Sequence, residues 1–251
     1  MMAVMNVVDE SMVLPRWTQS TGEELANSIS HGVGFAGAII GAPVLVLAAA
    51  HHGSTSFVIG TIIFTVTMSL LYLGSMLYHA WPQTRAKSVL QILDHSAIFW
   101  LIAGTYTPFA LGPLRGFWGW TLLGLIWALA AFGAFIKVTR GAFRHRKLAM
   151  TLYLGMGWLA LIFVRPFALA VPLSALLWLM LMLLWLMLAR LLAAVRHDLS
   201  FLAALLLGSF GAINPFWAIG FFSAFGRAGA ADSLTPATFP NFPSFSASSF
   251  T

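Results

Sequence analysis

Runs of apolar residues separated by short polar breaks occupy most of the chain, at 32–50, 56–79, 93–111, 117–136, 148–164, 171–194 and 199–225. Several of them exceed the ~18 residues that mark a spanning candidate, and at roughly 1.5 Å rise per residue about 20 residues cross the hydrocarbon core of a bilayer. The pattern predicts an all-α integral membrane protein of about seven transmembrane helices. The fifth run is the shortest, and the seventh is interrupted by Asn214-Pro215. Three parts follow from this division: an N-terminal segment over 1–31, a seven-helix domain over 32–227, and a tail over 228–251. In the tail Ala, Ser, Thr, Pro and Phe dominate and no helical or strand period survives, which reads as a disordered low-complexity segment.

Composition reinforces that picture. Hydrophobic residues make up 60% of the chain and charged residues 8%, against roughly 45–50% and 25% in soluble domains. No cysteine is present, which removes disulfides and thiolate metal sites from consideration. Residues 1–27 contain Asp9, Glu10, Glu23 and Glu24 beside one base, Arg16, so they lack the basic n-region of a cleavable leader, and the first span is expected to act as its own targeting signal.

The net charge of +6 would suggest a nucleic-acid partner in a soluble protein. Here the bases sit between apolar runs, where they orient helices instead. With a cytoplasmic N-terminus, the inside segments hold Arg16, Arg85, Lys87, Lys137, Arg140, Arg144, Arg146, Lys147, Arg190 and Arg196, and the outside segments hold only Arg115, Arg165 and Arg227. That bias predicts a cytoplasmic N-terminus, placement in the cell (plasma or inner) membrane, membrane lipids as the surroundings and no nucleic acid. Gly37 and Gly41 form a Gly-x-x-x-Gly in the first run, a weak helix-packing signal, and Trp118 and Trp120 stand where interface anchors belong.

Ionisable groups inside apolar spans cost about 2.5–3.5 kcal/mol each at a helix centre, so each needs a reason. Ser75 and His79 lie four apart at the end of the second run and therefore on one helix face, and Asp94 opens the third run. Antiparallel neighbours joined by a short loop bring His79 and Asp94 to similar depth. A neutral imidazole and a carboxylate are donors that zinc takes, and a carboxylate beside the ion also accepts a proton from water. The bland reading has an equal claim, because an interfacial His and an Asp at a helix N-terminus cost little. His95 is expected to face elsewhere, about 100° around the helix, and His51, His52 and His145 to sit solvated in loops. The stretch Gly104-Thr105-Tyr106-Thr107-Pro108-Phe109 reads first as a helix whose backbone groups are satisfied by neighbouring Thr hydroxyls.

At these residues the sequence resembles the hemolysin III family, the bacterial branch of the group that includes the progestin and adipoQ receptors. Residues 23–34, Glu-Glu-Leu-Ala-Asn-Ser-Ile-Ser-His-Gly-Val-Gly, are similar to its N-terminal signature. Ser75 to His79 matches its Ser-x-x-x-His element, and 94–99 with 104–109 its third-helix block, so the resemblance covers roughly 22–172. It implies a seven-helix fold with a cytoplasmic N-terminus and a zinc site near the cytoplasmic face. His79 matches a metal ligand, Asp94 the residue that holds the metal-bound water, and Ser75 their neighbour. By analogy with related membrane enzymes such as the alkaline ceramidases, hydrolysis of a lipid amide would follow, with Asp94 and Ser75 as the catalytic residues.

The family draws two further ligands from a His-x-x-x-His in the seventh helix. After His145 this chain has one histidine, His197, without a partner four residues on, so the implied site is incomplete. From about Ala175 the sequence departs from the family pattern altogether, and a shifted reading frame there would account for both departures. Two other readings stand beside the hydrolase: a membrane-perturbing or pore-forming hemolytic protein, and a non-enzymatic membrane-homeostasis or receptor-like protein in which His79 and Asp94 serve packing. No polar stripe runs the length of a span as a water-lined pore wants.

Overall fold

The computed structural model describes residues 19–141 and 146–171, together with positions 173 and 177. Within them the chain is helical, with no strand: α1 (Thr21–His52), α2 (Thr55–Ala80), α3 (Arg85–Leu111), α4 (Phe117–Arg140), α5 (Arg146–Ile162) and α6 (Val164–Ala170). The expected spans at 171–194 and 199–225, the tail, His145 and His197 lie outside the described residues. Four helices are long and apolar enough to cross a membrane, and α5 with α6, bent by 59° around Phe163, makes a fifth if the pair is one span. The first four match the first four apolar runs.

Two of the helices start two turns or more before the hydropathy alone placed them. For α1 the cause is a capping box: Ser20 Oγ accepts from the Glu23 backbone N–H at 3.3 Å, and Glu23 Oε2 accepts from the Ser20 N–H at 2.8 Å. The helix thus begins at Thr21 and carries its first three turns of polar residues into the bundle. For α3 the helix begins at Arg85, so Asp94 stands roughly two and a half turns inside it. The expectation that Asp94 opens a helix is corrected, and with it goes the favourable N-terminal electrostatics, which fades beyond the first turn.

Short connections make α1 to α4 antiparallel neighbours in sequence order, with α5 returning against α3 and α4. Ser28 Oγ donates to the Met76 carbonyl at 3.4 Å at one end of the bundle, and Ser56 Oγ donates to the Leu111 carbonyl at 2.9 Å at the other. The first end gathers the start of α1, the end of α2, the start of α3, the end of α4 and the start of α5. Arg85, Lys87, Lys137, Arg140 and Lys147 lie there, and Arg115 lies at the opposite end. His51, expected in a loop, lies in the last turn of α1 and is exposed.

Two apolar clusters hold the helices together. Leu45, Phe64, Met68 and Tyr72 close α1 on α2, while Phe99, Phe109, Leu122, Ile126, Met156 and Phe163 join α3, α4 and α5. Without a hydrophobic drive between helices in lipid, small residues and hydrogen bonds do much of the work. A Cβ at Gly60 would lie 2.8 Å from Pro108 Cα, and one at Gly104 would strike the Thr67 hydroxyl, so both glycines let α2 and α3 touch. Tyr106 donates to the Met156 and Gly157 carbonyls, both at 3.0 Å, and accepts from the Ala160 N–H at 3.2 Å, pinning α5 to α3. Outward faces remain apolar, with Ile40 and Phe117 about three-quarters exposed and Trp118 and Trp120 at the start of α4 also outside, as a lipid-facing surface requires.

Candidate functional site

The basic end of the bundle collects the polar residues that apolar helices do not otherwise carry. On α1, Glu24 and His31 are seven residues apart and so share a face. Ser75 and His79 do the same on α2, and Lys87, Gln91 and Asp94 on α3, at the i, i+4, i+7 spacing of one helical stripe. The three stripes turn toward each other.

Glu24 stands between the other two helices. Its Oε2 is 2.8 Å from His79 Nδ1 and its Oε1 is 2.9 Å from Lys87 Nζ. The side chains of His79, Glu24 and Lys87 are only 10%, 15% and 9% exposed, so these polar groups are satisfied by each other rather than by water. Lys87 also donates to the Trp81 carbonyl at 3.1 Å and lies 5.2 Å from the centre of the Tyr78 ring, a cation–π arrangement. Gln91 donates to the Tyr78 hydroxyl at 2.7 Å and holds that ring in place.

Asp94 adjoins this network. The Ser75 hydroxyl, itself buried, donates to its carboxylate, and His79 faces it as an electrostatic partner. The three residues singled out from sequence are therefore brought together. His95 turns to α3's own backbone, where its Nδ1 donates to the Gln91 carbonyl at 2.8 Å, and that nitrogen is 3.9 Å from Asp94 Oδ2. Tyr153 on α5 donates to the His95 carbonyl at 2.8 Å. The 104–109 stretch takes no part in this cluster. Thr105 and Thr107 donate to carbonyls one turn back, and Thr107 accepts from Trp127 Nε1 at 3.1 Å, so its role is packing, as first read.

Glu24, Lys87 and His31 were not picked out as site residues by sequence. The His31 ring stacks on His79, with centroids 5.7 Å apart and planes 5° from parallel, and its Nδ1 is buried without a hydrogen-bond partner among the described residues. Lys87 counted only as a loop charge because the third helix was placed from 93 onward; extending the helix to Arg85 exposes its stripe with Gln91 and Asp94. Glu24 and His31 had a signal of the same kind, two ionisable groups on one face of a helix whose cap lies at Ser20.

As donors for zinc the residues suit in type and fall short in number. His79, with Nδ1 engaged by a carboxylate, keeps Nε2 for a metal, and Asp94 offers oxygen, but no group of three or more His, Asp or Glu poised around one point occurs among the described residues. Structural zinc takes four protein ligands and catalytic zinc three.

Residues 19–200 match the family described as haemolysin-III related. The chain belongs to that family. The match extends beyond the 22–172 over which the resemblance was read. Among curated haemolysin-III relatives, a hemolysin-3 homolog of Bacillus subtilis (strain 168) is 46% identical over 144 residues, covering 57% of this chain and 67% of the relative. Hemolysin-3 of Bacillus cereus is 43% identical over 153 residues, covering 61% of this chain and 69% of that one. No solved structure matches the chain.

Proposed function

We propose that this haemolysin-III-related membrane protein is a metal-dependent hydrolase of lipid amides, with its site at the basic end of the bundle facing the cytoplasm and the chain resident in the cell membrane. One observation carries the reading. Asp94 is held far inside α3, against the buried Ser75 hydroxyl and beside His79, where neither a helix terminus nor open water explains a carboxylate. His79 and Asp94 are the residues that would hold zinc, with further donors needed from beyond the described residues. Zinc, when bound, polarises a carbonyl and makes water a better nucleophile.

The chain's own groups supply the rest. Amide hydrolysis delivers the hydroxyl of water to the acyl carbon and a proton to the departing amine, so it needs a group that takes a proton and returns it. Asp94 is placed for that role, and the Ser75 hydroxyl holds its carboxylate in one orientation. A lipid substrate reaches such a site laterally, since the outward helix faces are apolar. The amide class rests on analogy with related membrane enzymes such as the alkaline ceramidases.

The test is the zinc content of the detergent-purified protein beside a His79→Ala variant, together with release of fatty acid from a short-chain ceramide. Near-stoichiometric zinc, lost in the variant, with hydrolysis that follows it, is the expected result. Zinc absent from both would end the hydrolase reading. A second reading draws on the names of the Bacillus relatives: a hemolytic protein that perturbs membranes without chemistry. It predicts dye leakage from vesicles that an Asp94→Asn change leaves intact, whereas hydrolysis does not survive that change.

A further inference from the structure

Hydrolysis at His79, Asp94 and Ser75 leaves Glu24 and Lys87 without a task. Both are charged, both are mostly buried, and each comes from a different helix than His79. Their contacts are directional. Glu24 Oε2 meets His79 Nδ1 at 2.8 Å, and an ionised carboxylate can only accept, so the hydrogen resides on Nδ1. Nε2 is then the ring nitrogen with a free lone pair, and only that tautomer presents Nε2 to a metal. The other carboxylate oxygen is fixed by Lys87 Nζ at 2.9 Å, and the ammonium is fixed in turn by the Trp81 carbonyl and the Tyr78 ring.

We propose that Glu24 is the positioning residue of this site: it sets the tautomer and orientation of the His79 imidazole, and Lys87 holds Glu24 at its task. The value of this to a metal rests on the hydrolase reading, but the tautomer itself does not. A histidine ligand whose second nitrogen is bound to a carboxylate is a more basic and better oriented ligand, and loss of such a partner costs typically 10–100-fold in metal affinity. If Glu24 and Lys87 only bridged α1 to α3 as an ion pair, the imidazole would keep its tautomer without them.

The experiment uses the full-length, metal-stripped protein in detergent, labelled with 15N-histidine, at one pH throughout. Its signal is assigned by its disappearance in His79→Ala. Four forms are compared: wild type, Glu24→Gln, Lys87→Met and the double change Glu24→Leu with Lys87→Met, which leaves no ammonium buried alone. Wild type shows the Nδ1–H tautomer. Glu24→Gln retains it, because the amide oxygen still accepts, and Lys87→Met retains it as well. The double variant loses it in favour of Nε2–H or a mixture. An unchanged Nδ1–H signature in the folded double variant, or Nε2–H in wild type, overturns the proposal. Titration of the same four forms with zinc alone against a chelator then reads affinity, which falls 10–100-fold in the double variant and least in Glu24→Gln. Absence of zinc binding in wild type counts against the hydrolase reading alone, because the tautomer comparison is made without metal and still decides what Glu24 does.

Discussion

Substitution at Asp94 separates chemistry from packing. Asp94→Asn keeps the shape of the side chain and its acceptor for Ser75 but removes the base, so hydrolysis of a short-chain ceramide should fall about 10²–10⁴-fold while the thermal unfolding midpoint in detergent moves little. A large loss of stability with no activity in wild type would instead place Asp94 among the packing groups. The charges beside it behave differently. Removing Glu24 alone as Glu24→Leu strands the Lys87 ammonium, 9% exposed, and should destabilise the bundle by about 3 kcal/mol, most of which the added Lys87→Met change restores; unfolding in detergent measures both. His79, Ser75 and Asp94 were legible in the sequence because each interrupts an apolar run with a group that is costly there. Glu24 and Lys87 were not, because they lie where hydropathy alone still reads interface, and only the cap at Ser20 and the early start of α3 draw them into the bundle.

At the scale of the helices, close approach and a few hydrogen bonds replace the hydrophobic drive of a water-soluble core. Gly60 faces the backbone of Pro108, which has no flexible end to move aside, so Gly60→Leu should separate α2 from α3 and cost at least 1–3 kcal/mol. Thermal unfolding and the loss of the His79–Asp94 neighbourhood in the same protein would show it. Tyr106→Phe removes the hydroxyl that serves two carbonyls and one N–H of α5 and should cost about 1–3 kcal/mol, with α5 exchanging backbone hydrogen faster while α1 and α2 are spared. The number and order of the first four helices could be read from apolar runs and the breaks between them. The break after 164 was marked by Arg165, but the short helix that follows it at a bend of 59° could not be read, since Pro166 falls in the first turn of α6 where proline is tolerated.

For the whole molecule, the absence of cysteine turns topology into a direct measurement, because any introduced thiol is the only one. With the basic end in the cytoplasm, Gln83→Cys should be shielded from a membrane-impermeant maleimide in intact cells and react after permeabilisation, whereas Arg115→Cys should react in both; the reverse pattern would invert the orientation. The carboxylate of Glu24 also bears on how the protein is made. It is translated 55 residues before His79, and before Lys87 as well, so α1 enters the bilayer with an acid whose two partners have not yet been synthesised. Its place in the first turn of α1 lets that acid wait at the headgroups until the α2–α3 hairpin arrives. The smallest fragment that supplies both partners of Glu24 is therefore three helices long: truncation after α1 leaves an unpaired carboxylate, and truncation after α2 leaves one that has His79 but lacks its ammonium, for the cell's membrane-protein quality control to find.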